Sequence, residues 1–335
     1  MSDQFIGVDV GGTKIAVSVL EGGKLSEPVV TPTNQASQDA LVEQIAMAIE
    51  AAMTNETRAV GIGMPSVVEF ATGKILASVN IPLHDIPLRQ LLTQRMGVPV
   101  YVENDAGCAA LAEAFDDGRI VVDSLVMLTI GTGVGGGWVL NGRLYRGATT
   151  SAAEVGHTII GRDLESGNHV PGDPFPQRGS LETLASGRAL DRLADYAAVQ
   201  YPDSHLGKQR DAKGDIDGHD VVAGAEAGDD ASLWCLRVLG ERIGIGIANA
   251  INTFDPLEVV IGGGVSRAGE LLLGPARDAA FRHVVPGLGL NTTIRIARHG
   301  PRAGVLGAAL IAAQEYGEDT GRNLQGAISG EASGS

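Results

Sequence analysis

Phe5-Ile6-Gly7-Val8-Asp9-Val10-Gly11-Gly12-Thr13-Lys14-Ile15-Ala16-Val17-Ser18-Val19-Leu20 is the stretch from which the fold is read. Phe5 to Val10 has the apolar density of a buried strand, and Ile15 to Leu20 that of its hairpin partner. The Gly-Gly-Thr-Lys tetrad turns between them. A strand rather than a helix follows the glycines, so the turn is neither a Walker A loop nor a dinucleotide-binding fingerprint. Two roles stay open. The N–H groups of Gly11, Gly12, Thr13 and Lys14 can cradle a phosphate, with Asp9 at the strand end holding a hydrated Mg²⁺. Alternatively, the segment is an ordinary hairpin turn.

The pattern restarts after Asp116-Asp117-Gly118. Ser124 to Ile130 reads as a strand, Gly131-Thr132-Gly133-Val134-Gly135-Gly136 as a glycine loop, and Trp138 to Leu140 as the return strand, with a hairpin signal at Asn141-Gly142. The loop is richer in glycine than a hairpin needs, which favours a second phosphate cradle in which Thr132 offers a hydroxyl. Strand, glycine turn and strand thus occur once in each half, implying two related α/β domains. The 335 residues agree, at roughly 150 per domain.

Other segments fill in the frame. Residues 38–53 show helical spacing, with Leu41, Val42, Ile45, Ile49 and Met53 on one face. Strands are expected at Ala59 to Met64, Val98 to Val102 and Leu257 to Ile261, and helices at 106–115, 182–200, 231–254 (bent at its glycines) and 303–313. Residues 161–180 read as a loop, 201–219 as an irregular exposed insertion, and 317–335 as a disordered polar tail.

Asn104-Asp105 follows the strand Val98–Val102. Asp105 suits the acceptance of a hydroxyl proton and Asn104 the orientation of its donor, since phosphoryl transfer asks mainly for positioning and charge stabilisation. The pair equally suits an N-cap of the Ala-rich helix. Glu154, His157 and Glu182 offer the acceptors and donor that vicinal sugar hydroxyls need. Against this, Ser151-Ala-Ala-Glu154 matches a capping box, and a lone histidine is more often a satisfied structural one. Gly262-Gly263-Gly264 leaves room for adenine, or simply turns strand into helix.

Net charge is −15, which argues against nucleic acid and anionic membranes as partners. An anionic substrate must be met by aimed amides, a few cations and a divalent metal. Cys108 and Cys235 exclude a disulfide framework and fit a reducing cytoplasm. No signal peptide or membrane span is expected.

Together these segments resemble the ROK family of sugar kinases and sugar-responsive repressors, over residues 5–315. Val8 to Lys14 resembles its first phosphate motif, Glu103-Asn104-Asp105 the segment of its catalytic aspartate, and Ile130 to Gly137 its second phosphate motif. Glu154-Val155-Gly156-His157 and Gly179-Ser180-Leu181-Glu182 resemble its sugar-binding segments. Asn252 to Pro256, leading into Val259 to Gly264, resembles its interdomain helix and adenosine motif. The resemblance implies two actin- or ribonuclease-H-like α/β domains with a nucleotide and sugar cleft between them. One spans 1–118, completed by a helix at 303–315, and the other 119–302. It implies a cytoplasmic homodimer using ATP and Mg²⁺ to phosphorylate a hexose, glucose first, at the 6-hydroxyl. Asp105 is then the general base. Asn104, Glu154, His157 and Glu182, with Gly63 and Asn80, line the sugar site, and domain closure excludes water.

Three departures stand out. The family's zinc motif, a histidine with three cysteines, is absent between His157 and Glu182. Ser180 stands where its last cysteine is expected, so no zinc site is expected. The spacing of Asp163, Glu165 and His169 does not replace it, and packing must hold the loop. Ser66 and Glu69 replace the usual Gly and Asp after Pro65, a change that bears on acceptor preference. No helix-turn-helix precedes Phe5, which argues against a repressor. The alternatives are a non-catalytic sugar-binding regulator, a kinase for fructose, mannose or N-acetylmannosamine, and polyphosphate as donor.

Overall fold

The structure, a computed structural model, describes residues 3–78, 80–161 and 176–322. Its strands are β1 (Gln4–Val10), β2 (Lys14–Glu21), β3 (Lys24–Leu25), β4 (Val29–Pro32), β5 (Thr57–Met64), β6 (Ser66–Glu69), β7 (Lys74–Ser78), β8 (Val100–Asn104), β9 (Phe115–Asp116), β10 (Arg119–Ile120), β11 (Ser124–Ile130), β12 (Val134–Leu140), β13 (Arg143–Leu144), β14 (Glu258–Gly262) and β15 (Thr293–Ile296). Its helices are α1 (Gln38–Ala52), α2 (Leu88–Met96), α3 (Asp105–Glu113), α4 (Leu181–Ala185), α5 (Gly187–Gln200), α6 (His205–Lys213), α7 (Gly218–Glu226), α8 (Asp230–Phe254), α9 (Glu270–His283) and α10 (Ala303–Thr320). Two compact units emerge. The first comprises the chain up to Leu125, Gly137–Ala153 and the chain from Arg298; the second comprises Val126–Gly136 and Glu154–Ala297.

In the first unit the sheet order is β3-β2-β1-β5-β8, with β4 on β2. β1 and β2 form the antiparallel hairpin, while β5 and β8 run parallel to β1. Successive residues of a strand face opposite sides. Ile6 and Val8 therefore join Leu41, Ile45 and Ile49 of α1 in one core, each at 0% exposure. Burying an aliphatic side chain of that size stabilises by about 1.5–3 kcal/mol. Ser37 caps α1 through the Ala40 N–H at 3.1 Å. Gly7 faces the other way, onto α10. A Cβ there would stand 2.9 Å from Ala309 N, and one at Gly61 would strike the Ala308 carbonyl. Gly307 of α10 meets Cys108 of α3 just as closely. The richness in Gly and Ala thus brings α10 flush against β1, β5 and α3.

The second unit's sheet holds the start of β12, then β11, β14 and β15. β14 and β15 are parallel. The glycines of α8 serve close packing. A Cβ at Gly240 would lie 2.7 Å from Leu272 O of α9, and one at Gly244 2.5 Å from Ala276 O.

Several expectations are corrected. The helix at 182–200 is two helices, because Ser186 ends α4 and caps α5 through the Ala189 N–H at 3.3 Å. The 201–219 insertion holds α6, capped by Ser204 and stopped by Gly214 at φ 85°; Asp217 and Asp220 then form the capping box of α7. These polar caps were legible, but α6 buries only Leu206 and Gly207, too little to show a period. The second glycine loop is only Gly131–Gly133, since β12 begins at Val134. The final helix runs on to Thr320, beyond the expected start of the tail. The rest of that tail from 323 and most of the 161–180 loop, with Asp163, Glu165 and His169, lie outside the described residues. Among the described residues no helix is long and apolar enough to cross a membrane.

The glycine contacts give a paired test. Gly61→Ala should cost at least about 3 kcal/mol or prevent folding, since its neighbour is backbone. Gly274→Ala in α9, where the added methyl meets nothing within 4 Å, should stabilise by up to about 1 kcal/mol. Thermal unfolding reads both, and a neutral Gly61→Ala would refute the flush packing.

Candidate active site

In the first unit, three parallel strand ends assemble the predicted residues. Asp9 of β1 is in register with Gly63 of β5, and Gly63 with Glu103 of β8, beside Asn104 and Asp105. Gly63 keeps this space clear: a Cβ there would lie 2.9 Å from Cys108 Sγ and 3.9 Å from the Asp105 Cα. Cys108 itself is a buried thiol, pushed well up by burial. Asn104 caps α3, its Oδ1 accepting from Ala106 N (2.9 Å) and Gly107 N (3.4 Å), while its Nδ2 donates to Ser66 O at 3.3 Å. The cap and the link to the segment after Pro65 coexist. Ser66 is itself buried and bonded to Ser78 at 2.6 Å.

Asp105 is the first residue of α3. Burial raises its carboxyl above the ordinary range, against the lowering pull of the Ala106 N–H on Oδ1 at 2.8 Å. Asp9 is raised to about 6, mainly by burial and further by the charge of Asp105, with Lys14 pulling the other way. Its carboxylate abuts Gly304 in the first turn of α10, where a Cβ would come within 2.6 Å of Cγ. Among the described residues no side chain or N–H donates a hydrogen bond to it. A half-buried carboxylate beside another, with no hydrogen-bond donor of its own, is a group that a cation would neutralise.

The first glycine turn closes with Gly11 N to Lys14 O at 2.8 Å and leaves Thr13 and Lys14 exposed. Gly12 needs its missing side chain for space, since a Cβ would sit 3.1 Å from Asn80 O. Sequence reasoning missed the braces of this turn. Thr33 Oγ1 donates to Gly11 O at 2.7 Å, and Gln35 donates to Gly12 O. No periodicity or motif marks either residue.

In the second unit, the glycine turn Gly131–Gly133 closes with Gly131 N to Gly133 O at 2.9 Å, and the first N–H of α5, from Gly187, donates to Gly131 O at 2.7 Å. Gly263, at φ 86°, lies against the Ile130 backbone, with 2.6 Å from a Cβ to the carbonyl carbon. The second and third glycine clusters are therefore neighbours. Gly131 and Gly264 face open space, whereas Gly262 packs on Met127, and Gly135 lies within β12. Thr132 is exposed at the turn's tip.

Glu182 Oε2 accepts from the Val134 N–H at 2.8 Å, so its carboxylate rests on this same turn, where Gly133 leaves room. Glu154 and His157 stand together, with Nε2 to Oε2 at 3.8 Å and the Glu154 side chain 66% exposed. The Ser151–Glu154 capping box does not form. Val155–His157 is a single 3₁₀ turn, and Glu154 makes no side-chain cap. The stems of the 161–180 segment are held by hydrogen bonds: Ile160 N to Gly179 O at 2.8 Å and Leu181 N to Thr158 O at 2.8 Å. Ser180 is fully buried and caps α4, the helix that carries Glu182, through the Thr183 N–H at 3.2 Å.

The model of the ROK family matches residues 5–315, and the chain belongs to that family. A glucokinase of Halalkalibacterium halodurans is 33% identical, over 97% of this chain and 100% of its own length. The solved ROK hexokinase of Thermus thermophilus superposes with a TM-score of 0.75 at 35% identity, covering 94% of this chain and 99% of that one. A ROK glucokinase of Streptomyces griseus, solved with glucose and AMPPNP, gives 0.73 at 34%, covering 93% and 99%. The fold is thus the actin-like ATPase fold of these sugar kinases.

Two outcomes follow from the geometry. Asp9 binds its proton more tightly in the folded than in the unfolded chain, so the stability that protonation brings is full below 3.8 and lost as pH rises through about 6. Asp9→Asn should therefore be about 1–3 kcal/mol more stable than wild type near neutral pH and equal to it near pH 4. Denaturant melts at the two pH values check this. Ser180→Ala should lose about 1 kcal/mol through the uncapped α4, with Ser180→Thr retaining most of it. The same melts check this as well.

Proposed function

We propose that the chain is an ATP-dependent kinase that phosphorylates a hexose at its 6-hydroxyl, with glucose as acceptor. The observation that carries this is the pair of half-buried, raised carboxylates, Asp9 at the end of β1 and Asp105 just after β8, on the two strands that flank β5, with Asp9 beside the first glycine turn. Glucose is favoured by the glucokinase of Streptomyces griseus, whose structure holds that sugar with an ATP analogue.

Asp105 takes the proton of the sugar 6-hydroxyl as that oxygen bonds to the terminal phosphorus of ATP. The bond from that phosphorus to the bridging oxygen breaks, and ADP leaves. Burial disfavours the charged carboxylate and so makes it a stronger base than a solvated aspartate. Asn104 orients the acceptor. Glu154 and His157 pair with sugar hydroxyls, as does the Oε1 of Glu182, which makes no hydrogen bond among the described residues. The Gly11–Lys14 and Gly131–Gly133 turns, the latter with Thr132, supply N–H and hydroxyl donors to phosphates, and Gly263-Gly264 leaves room for the adenine. A divalent cation such as Mg²⁺, when bound, supplies positive charge against the phosphates. Asp9 fits it, through water or phosphate, because it is half-buried, anionic near neutral pH and without a donor among the described residues.

ADP release across a panel of hexoses tests the assignment. Asp105→Asn should lower kcat by about 10²–10⁴ while glucose binding by calorimetry stays within twofold. In wild type, kcat/KM should rise with pH along an acid limb whose midpoint lies above the ordinary aspartate range, because the base must be ionised. Retained turnover in the variant would remove Asp105 from its role.

A further inference from the structure

Gln35 belongs to none of the motifs, yet its side chain joins two of them. Its Nε2 donates to the Gly12 carbonyl in the first glycine turn and to the Asn80 carbonyl at 3.0 Å. Both partners are acceptors, so only the NH₂ end of the amide fits, and its two hydrogens are both used. Gly12 and Asn80 also touch directly, since a Cβ on Gly12 would lie 3.2 Å from Asn80 Cβ. The loop bearing Gln35 is itself pinned. Thr33 N donates to Thr13 O at 3.1 Å, Asn34 N donates to Gln44 Oε1 at 2.8 Å, and Gln44 Nε2 returns to Pro32 O at 2.7 Å. Gln35 is exposed and adds nothing to the core. Its amide is thus placed by a rigid neighbour to fix the spacing of two segments that the sheet alone does not join.

We infer that Gln35 is a positioning residue that holds the phosphate-side turn and the acceptor-side segment as one body. Donor and acceptor are then set against each other before transfer. This role rests on the hexose kinase proposed above, with Asn80 at the sugar. Misplacement of reacting groups by a fraction of an ångström is costly to rate, and a clamp shared by both substrates must affect both.

The test uses Gln35→Leu, which keeps the bulk and loses both donors, and Gln35→Asn, whose shorter amide cannot span both carbonyls. Each should raise KM for ATP and for sugar together and lower kcat/KM by about tenfold, with Tm within about 2 °C of wild type. Hydrogen exchange of the free protein should quicken in peptides covering both 9–14 and 80–86. A change in one KM alone, unchanged kinetics, or faster exchange in only one segment would overturn the clamp. Absence of hexose turnover in wild type would overturn the kinase instead. The exchange measurement needs no substrate and separates the two failures.

Discussion

The first unit depends on backbone meeting backbone. At Gly7 and Gly61, which have no side chain to interpose, the backbone of α10 lies directly on β1 and β5, and it meets α3 through Gly307. This contact decides more than packing. It brings the first turn of α10, at Gly304, up to the Asp9 carboxylate, and it fixes the height of α3, whose first residue is Asp105. Side chains of ordinary size would push helix and sheet apart and move both carboxylates. The low aromatic content and high glycine count of the chain therefore bear directly on its chemistry.

Buried carboxylates in this unit fall into two kinds. Glu103 is raised by burial but is pulled back by Arg146, whose Nε donates to it at 2.6 Å, and by the Asn104 N–H. Arg146 also reaches Glu315 at 3.1 Å and stacks on Phe70. Glu113 accepts from the backbone of Arg298 and His299 at 2.8 and 2.9 Å. These two hold structure, and each is matched by donors. Asp9 and Asp105 have no such cation, although they share the same strand ends. Asp9 accepts no hydrogen bond among the described residues and Asp105 accepts only from main-chain N–H, so two half-buried charges stand without a cation, which costs stability that a purely structural design would avoid. The contrast between matched and unmatched neighbours is what marks the site.

Much of this was legible. Apolar density around the glycine turn gave the β1–β2 hairpin, and helical spacing gave the buried face of α1, because such patterns are local. The ordered glycine turns and the Asn-Asp pair gave the family. What stayed hidden is what has no period. Gln35 and Thr33 work through single long-range bonds to main-chain carbonyls, and nothing adjacent in sequence announces them. α6 is held by its caps more than by a buried stripe. The N-cap and acceptor-orienting readings of Asn104 stood level in the sequence; the side chain caps with Oδ1 and reaches Ser66 with Nδ2 at once.

The missing zinc motif shows how local chemistry can take over a metal's structural task. A thiolate site fixes its loop by joining distant residues through one ion, at the cost of needing the ion. Here the two stems of that loop are joined instead by main-chain hydrogen bonds between 158–161 and 179–181. Ser180, where the last cysteine would stand, accepts the Thr183 N–H of α4 with its hydroxyl. A thiol caps poorly, because sulfur is a weak acceptor. An oxygen at this position therefore suits the start of α4, and the residue two places on, Glu182, accepts from the glycine turn at Val134.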